Sequence, residues 1–184
     1  ALQALSQTRM TGLAPTLDRE RRILEARAVI DADREDLALD LLSRLTGRDA
    51  DLLRVDGYWK AKNYAAASNV LENIYSADES EALNQDSRMN IIKAAVGLSL
   101  ASDTLGLSRL RSKFSERMAQ SAQWPMFDYI TSPQVSVAGE EFKAAAKAVA
   151  AIDSINGFLA SYRQQFPIDD KLVPSTATKK SDLG

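Results

Sequence analysis

The chain has 184 residues, 45% of them hydrophobic and 26% charged, with a net charge of −2. That balance suits a chain with a full core and speaks against disorder, a disulfide scaffold or a basic face for nucleic acid. Cys and His are both absent, which removes disulfides, thiolate chemistry, the commonest general base and the commonest transition-metal ligand.

Only 8 Gly and 5 Pro interrupt the chain, and no stretch alternates with period two, so the expected fold class is all-α. No apolar run approaches the roughly 18 residues needed to span a bilayer, and direct membrane insertion is not expected. Residues 1–16 read as the end of a preceding helix and a loop, with Gly12 and Pro15 as breaks. The opening phrase holds Leu2 and Leu5 at helical spacing, which points to the C-terminal part of a longer protein.

A first helix pair is predicted over 17–46. Leu17, Leu24 and Ala28 form one stripe of its first helix, with Ile23, Val29 and Ile30 beside it. Thr16 or Asp18 can cap this helix, Asp33 can cap the next, and Gly47 stands where a left-handed C-cap belongs. Arg19, Arg21, Arg22 and Arg27 alternate with Asp18, Glu20 and Glu25, the pattern of a solvated helix face.

The second pair is predicted over 49–76. Leu52, Leu53, Val55, Tyr58 and Trp59 mark its first helix, Lys62-Asn63 its turn, and Tyr64, Ala67, Val70, Leu71, Ile74 and Tyr75 its second helix. After the acidic linker 77–81, a third pair spans 83–119. Asp103 is its internal cap, and Leu107, Leu110, Phe114 and Met118 form a stripe. A short helix follows at 124–131, with Pro125 in its first turn. Ser136 can cap a long helix over 137–166, whose stripe runs Ala138, Phe142, Ala145, Val149, Ile152, Ile155, Leu159, Tyr162 and Phe166. At 1.5 Å per residue it reaches roughly 40 Å, enough to close the end of a stack. Together 17–166 make one helical-repeat domain, followed by a mostly disordered tail over 167–184.

The phrases starting at Ala38, Ala67 and Leu107 share one cadence, at intervals of 29 and 40 residues. Such a cadence predicts an α-solenoid of three antiparallel helix pairs closed by a long C-terminal helix, an architecture that serves protein–protein interaction more than chemistry. The segment from Tyr58 to Ala67 resembles a tetratricopeptide repeat, with Tyr58, Tyr64 and Ala67 in the aromatic and small positions and Leu71 and Ile74 in later apolar ones. It departs from that family at Asp51, Val55 and Glu79, where Trp, Gly and Pro belong. The Ala/Leu/Arg style and the phrase Phe158-Leu159-Ala160-Ser161-Tyr162-Arg163 also resemble the C-terminal ends of large alphaproteobacterial repeat proteins. The resemblance implies a bacterial scaffold that holds a peptide or helix of a partner, in the periplasm or the cytoplasm, with the periplasm slightly favoured.

No catalytic constellation emerges. The carboxylate pairs, such as Asp31 with Glu35 or Asp169 with Asp170, sit at helix ends and in linkers, where they cap or solvate. The phrase Asp31-Ala32-Asp33-Arg34-Glu35-Asp36 lacks the Gly and Glu of a calcium loop. Gly57, Gly97, Gly106 and Gly157 read as close helix packing. The expectation is therefore a non-enzymatic chain with no cofactor and no metal. Its candidate partner-binding residues are Asp56, Trp59 and Lys60, with Arg27 and Asp31 on the preceding first helix. Trp59 is the aromatic anchor of a concave groove in this reading, or else it packs on the next pair. Two other roles fit the same pattern: a structural cap of a longer array, or a helical accessory domain of a cell-envelope enzyme.

Overall fold

The computed structural model describes residues 14–77, 82–133 and 137–151. Within them the chain is all-helical, with no strand. The elements are α1 (Pro15–Asp31), α2 (Glu35–Leu42), α3 (Arg48–Lys60), α4 (Tyr64–Ser76), α5 (Gln85–Leu100), α6 (Thr104–Met118) and α7 (Trp124–Ile130). A helix resumes over 140–151. The chain divides into two compact units, Ala1–Val149 and Ala150–Gly184, so the boundary falls inside the predicted terminal helix. All that follows concerns the first unit.

Three turns of one geometry organise it. Asp33, Lys62 and Ser102 all adopt left-handed backbone, with φ of 53°, 58° and 56°. Each follows an alanine that ends a helix, Ala32, Ala61 or Ala101. The left-handed residue returns its N–H to the carbonyl three positions back, at 3.0 Å in all three turns. The next residue reaches five positions back: Arg34 to Val29 at 3.1 Å, Asn63 to Tyr58 at 2.8 Å, Asp103 to Leu98 at 2.9 Å. This paired closure satisfies the last carbonyls of the helix and turns the chain at once into the next helix. Asn63 and Asp103 then cap α4 and α6, accepting from the N–H of Ala66 at 3.3 Å and of Gly106 at 2.8 Å. The left-handed residues lie 29 and 40 positions apart, the intervals of the sequence cadence, and fix a common register for α1–α2, α3–α4 and α5–α6.

Each helix packs on its sequence neighbour, and α1 also packs on α3 and α5 on α7. A small apolar cluster joins α1, α2 and the start of α3: Ala26, Val29, Ile30, Ala38, Leu42, Leu45, Ala50 and Leu53. A larger one begins at Val55 and runs through α4–α7 to Phe142, Ala145 and Val149. At its centre α5 is buried continuously from Ile91 to Ser99, so it is covered all round rather than along one stripe. Gly97 makes this possible. A Cβ there would stand 2.3 Å from Ser68 Oγ and 3.1 Å from both the Tyr64 carbonyl and the Trp59 ring, which holds α5 against the preceding pair at backbone distance.

Several local expectations change. Pro15 starts α1 instead of ending a loop, because its missing N–H is one that a first turn leaves unpaired anyway; Ala14 is the N-cap in place of Thr16 or Asp18. Asp33 is the left-handed turn residue and Arg34 the N-cap of α2. Gly47 does adopt positive φ, at 109°, but as the N-cap of α3, and α2 ends at Leu42. The stripe of α1 is rotated: Ala26, Val29 and Ile30 are buried, while Leu17 and Leu24 are 53% and 48% exposed. In the last helix Phe142, Ala145 and Val149 are buried as expected, and Ala138 is exposed. The predictions for 1–13, for 78–81, for the Ser136 cap, for the stripe from Ile152 to Phe166 and for the tail lie outside the described residues.

Candidate interaction surface

The five candidate residues fall on α1 and α3. Arg27 and Asp31 are exposed on α1, and Asp56 and Lys60 are exposed on α3. They hold equivalent places, since Arg27 and Asp56 precede their left-handed residues by six positions and Asp31 and Lys60 by two. Trp59 is half-buried. Its ring meets Tyr64 edge-on at 5.2 Å and 72°, and the Lys93 ammonium lies 5.0 Å above it. Lys93 also stands 3.9 Å from Asp56. The ring therefore packs on α5 of the next pair and stays half-buried. Lys60 turns away from it and donates to the Ile30 carbonyl at 2.8 Å and to Asp33 Oδ1 at 2.9 Å. The hydrogen bond to Asp33, with the further negative charges of Asp31 and Glu35, holds the ammonium above its ordinary value against the effect of burial.

The charges on this molecule mostly join one helix to another. Arg19 of α1 donates to Asp49 Oδ2 at 2.8 Å and to the Thr46 carbonyl at 2.8 Å. The hydrogen bond from Arg19 is the main reason that the Asp49 carboxyl lies below its usual range. Arg54 donates to the Leu42 and Leu45 carbonyls, where α2 ends. Arg117 does the same for Tyr75 near the end of α4, at 3.0 Å. Cations thus sit on carbonyls at or near helix C-termini, where both the dipole and the unpaired oxygens favour them.

One polar cluster centres on a buried carboxylate. Glu72 of α4 is 3% exposed, yet it accepts from Arg109 Nε at 2.9 and 3.0 Å and from Arg109 Nη2 at 2.9 Å. Lys113 stands 2.6 Å from it, and Arg109 also donates to Asn69 at 3.0 Å. Burial pushes the Glu72 carboxyl up, and the hydrogen bonds from Arg109 and Lys113 overcome that, leaving it below its ordinary value. Nothing in the local sequence singled out Glu72. A glutamate one residue after Leu71 reads as the polar edge of a stripe, and its partners are 37 and 41 positions away.

An open groove of about 440 Å³ lies between the start of α3 and the end of α4. It is lined by the apolar Val70, Ile74 and Ala77 and by the polar Arg48, Asp51 and Asn73, with the Asp51 carboxylate paired to Arg54. The Arg48 guanidinium is held over the Tyr75 ring at 4.8 Å, and Asn90 fixes the Tyr75 hydroxyl at 2.9 Å. Burial raises the Tyr75 hydroxyl above its ordinary value, against the opposing charge of Arg48. A smaller space of about 150 Å³ continues past Arg48, Ile74 and Tyr75 to Ser87 and Arg117. The sequence reading missed this groove. Its one signal is Arg48 directly after the positive-φ Gly47, opposite the C-terminus of α4.

Among the described residues no group of His, Cys, Asp and Glu is arranged to hold a metal ion, and no helix is long and apolar enough to cross a membrane. Comparison with protein-family models, with curated proteins and with solved structures finds no match for the chain.

Proposed function

We propose that the chain is a non-enzymatic protein-interaction module. In this reading it is an α-solenoid of three antiparallel, tetratricopeptide-like helix pairs, and it takes a short peptide or helix from a partner protein in the groove between α3 and α4. The observation that carries the proposal is the groove itself, lined by apolar Val70, Ile74 and Ala77 and by Arg48, whose guanidinium is held over the Tyr75 ring. Such a site suits one bulky apolar side chain and one acidic group of a peptide. Trp59, Lys60 and Asp56 make intramolecular contacts, so the exposed face carrying Arg27, Asp31, Asp56 and Lys60 is the second candidate surface.

Panning a displayed peptide library against the purified chain tests the reading. The expected outcome is a set of peptides that pair an Asp or Glu with a Leu, Ile or Phe. Their affinity should fall at least tenfold, about 1.4 kcal/mol, in a folded Arg48→Glu variant. Enriched peptides that bind Arg48→Glu and wild type equally, but lose Asp56→Lys, would move the site to the second surface. A library that yields no binder would contradict the groove.

A further inference from the structure

The smaller space beside the groove shares Arg48, Ile74 and Ala77 with it and differs from it in chemistry. It lies where α3 and α5 begin and α4 and α6 end. Its polar side chains are those of Arg48, Tyr75, Ser87 and Arg117, and among the described residues no carboxylate lines it.

The polar groups there are mostly donors. The Arg48 guanidinium lies over the Tyr75 ring, and the Asp51 carboxylate, which lines the same groove, pairs with Arg54 instead. Arg117 enters from α6, steadied by its bond to the Tyr75 carbonyl at 3.0 Å and by the Phe114 ring at 5.7 Å. Ser87 is 8% exposed. Its N–H donates to Asn84 Oδ1 at 2.8 Å, and its hydroxyl has no hydrogen-bond partner among the described residues. A hydroxyl buried to this degree costs free energy until water or a ligand meets it. Against these donors stands Asp86 in the first turn of α5, whose charge reaches Tyr75. The two guanidinium groups outweigh it.

Two guanidinium groups and a hydroxyl around a small space complement a carboxylate, which only accepts and takes several hydrogen bonds at once. Resting on the groove reading, we propose that this space is the acid subsite for the same peptide. An Asp or Glu side chain of the partner enters between Arg48 and Arg117 and accepts from the Ser87 hydroxyl, while a neighbouring apolar side chain lies against Val70 and Ile74. At about 150 Å³ against about 440 Å³, the inner space admits a side chain and keeps the peptide backbone in the open groove. The partner segment is therefore acidic, and Lys or Arg at the same position is rejected by two like charges.

The tightest library peptide tests the subsite. It is made with an amidated C-terminus, so that a side chain must supply the carboxylate, and is compared with an analogue in which that acid is Gln or Asn. In calorimetric titration of wild type the analogue should bind about tenfold more weakly. Arg117→Met should weaken the acidic peptide about tenfold, and the milder Ser87→Ala about threefold. Circular dichroism confirms that each variant folds, and neither should change the affinity of the analogue. An acidic peptide bound equally by wild type, Arg117→Met and Ser87→Ala, while Arg48→Glu still loses it, would overturn the inner subsite and leave the groove standing. Equal losses for peptide and analogue in both variants would also overturn it, because acid recognition would then have no part in them. A chain that binds no peptide would overturn the subsite and the groove together.

Discussion

The two halves of the first unit are held together by different means. The first pair closes over a cluster of eight aliphatic residues with no aromatic ring. Its remaining connections are charges laid on helix ends: Arg19 on Thr46 and Asp49, Arg54 on Leu42 and Leu45, Lys60 on Ile30. The second and third pairs share a core more than twice as large, with Phe114, Phe127 and Phe142 inside it and α5 buried on every side. Apolar burial is the larger and less salt-sensitive contribution. The first pair should therefore open locally before the remainder unfolds. Helix α3 is the wall between them, since Ala50 and Leu53 belong to one cluster and Val55 to the other.

The difference can be broken from either side. Phe114→Ala should cost about 4 kcal/mol and lower the urea midpoint recorded at every helix. Leu42→Ala should cost about 3 kcal/mol, but native-state hydrogen exchange should accelerate in α1 and α2 well before α5 and α6. Equal acceleration throughout would show that the two clusters unfold as one.

Glu72→Ala should cost about 2 kcal/mol, because Arg109 and Lys113 lose a buried partner while remaining partly hydrated themselves. The pH dependence has a definite sign. The folded carboxyl lies below its ordinary value of 4.5, so its contribution is complete above 4.5 and is lost as pH falls through the lower folded value. Urea midpoints of wild type should drop as pH falls below 4.5, and Glu72→Gln should flatten part of that drop. Identical slopes would remove Glu72 from the acid response.

Lys60→Met should cost about 1 kcal/mol by removing the ammonium from the Ile30 carbonyl, which keeps only the Asp33 N–H, and from the Asp33 carboxylate, visible as faster exchange at the last turn of α1. The smallest effect is a gain. Ser102→Gly relieves a left-handed backbone that glycine adopts without strain, and should add up to about 1 kcal/mol. A lower melting midpoint would mean that Ser102 contributes something beyond its backbone.

Features that depend on neighbours in sequence were legible in advance. The stripe of α6, the Asp103 cap and Pro125 near the start of α7 follow from helical period and capping chemistry, which act within a turn or two. The 29- and 40-residue cadence proved to be the spacing of the left-handed turns themselves. Features that depend on remote partners were not legible. Asp33 looks like a helix cap until Lys60 is seen to hold it from 27 positions away. On α1, Leu17 and Leu24 are more hydrophobic than the buried Ala26, so composition favours the wrong face. The groove joins the two outer ends of α3 and α4, which lie far apart in sequence, and no local pattern marks such a pairing.

The most direct test of the interaction reading is amide shift mapping by NMR with the tightest peptide from the library. The account predicts shifts at Arg48, Asp51, Asn73, Ile74 and Tyr75, with α1 and α2 undisturbed beyond the Lys60 contact. Shifts centred on Asp56 and Lys60, or none at saturating peptide, would contradict it.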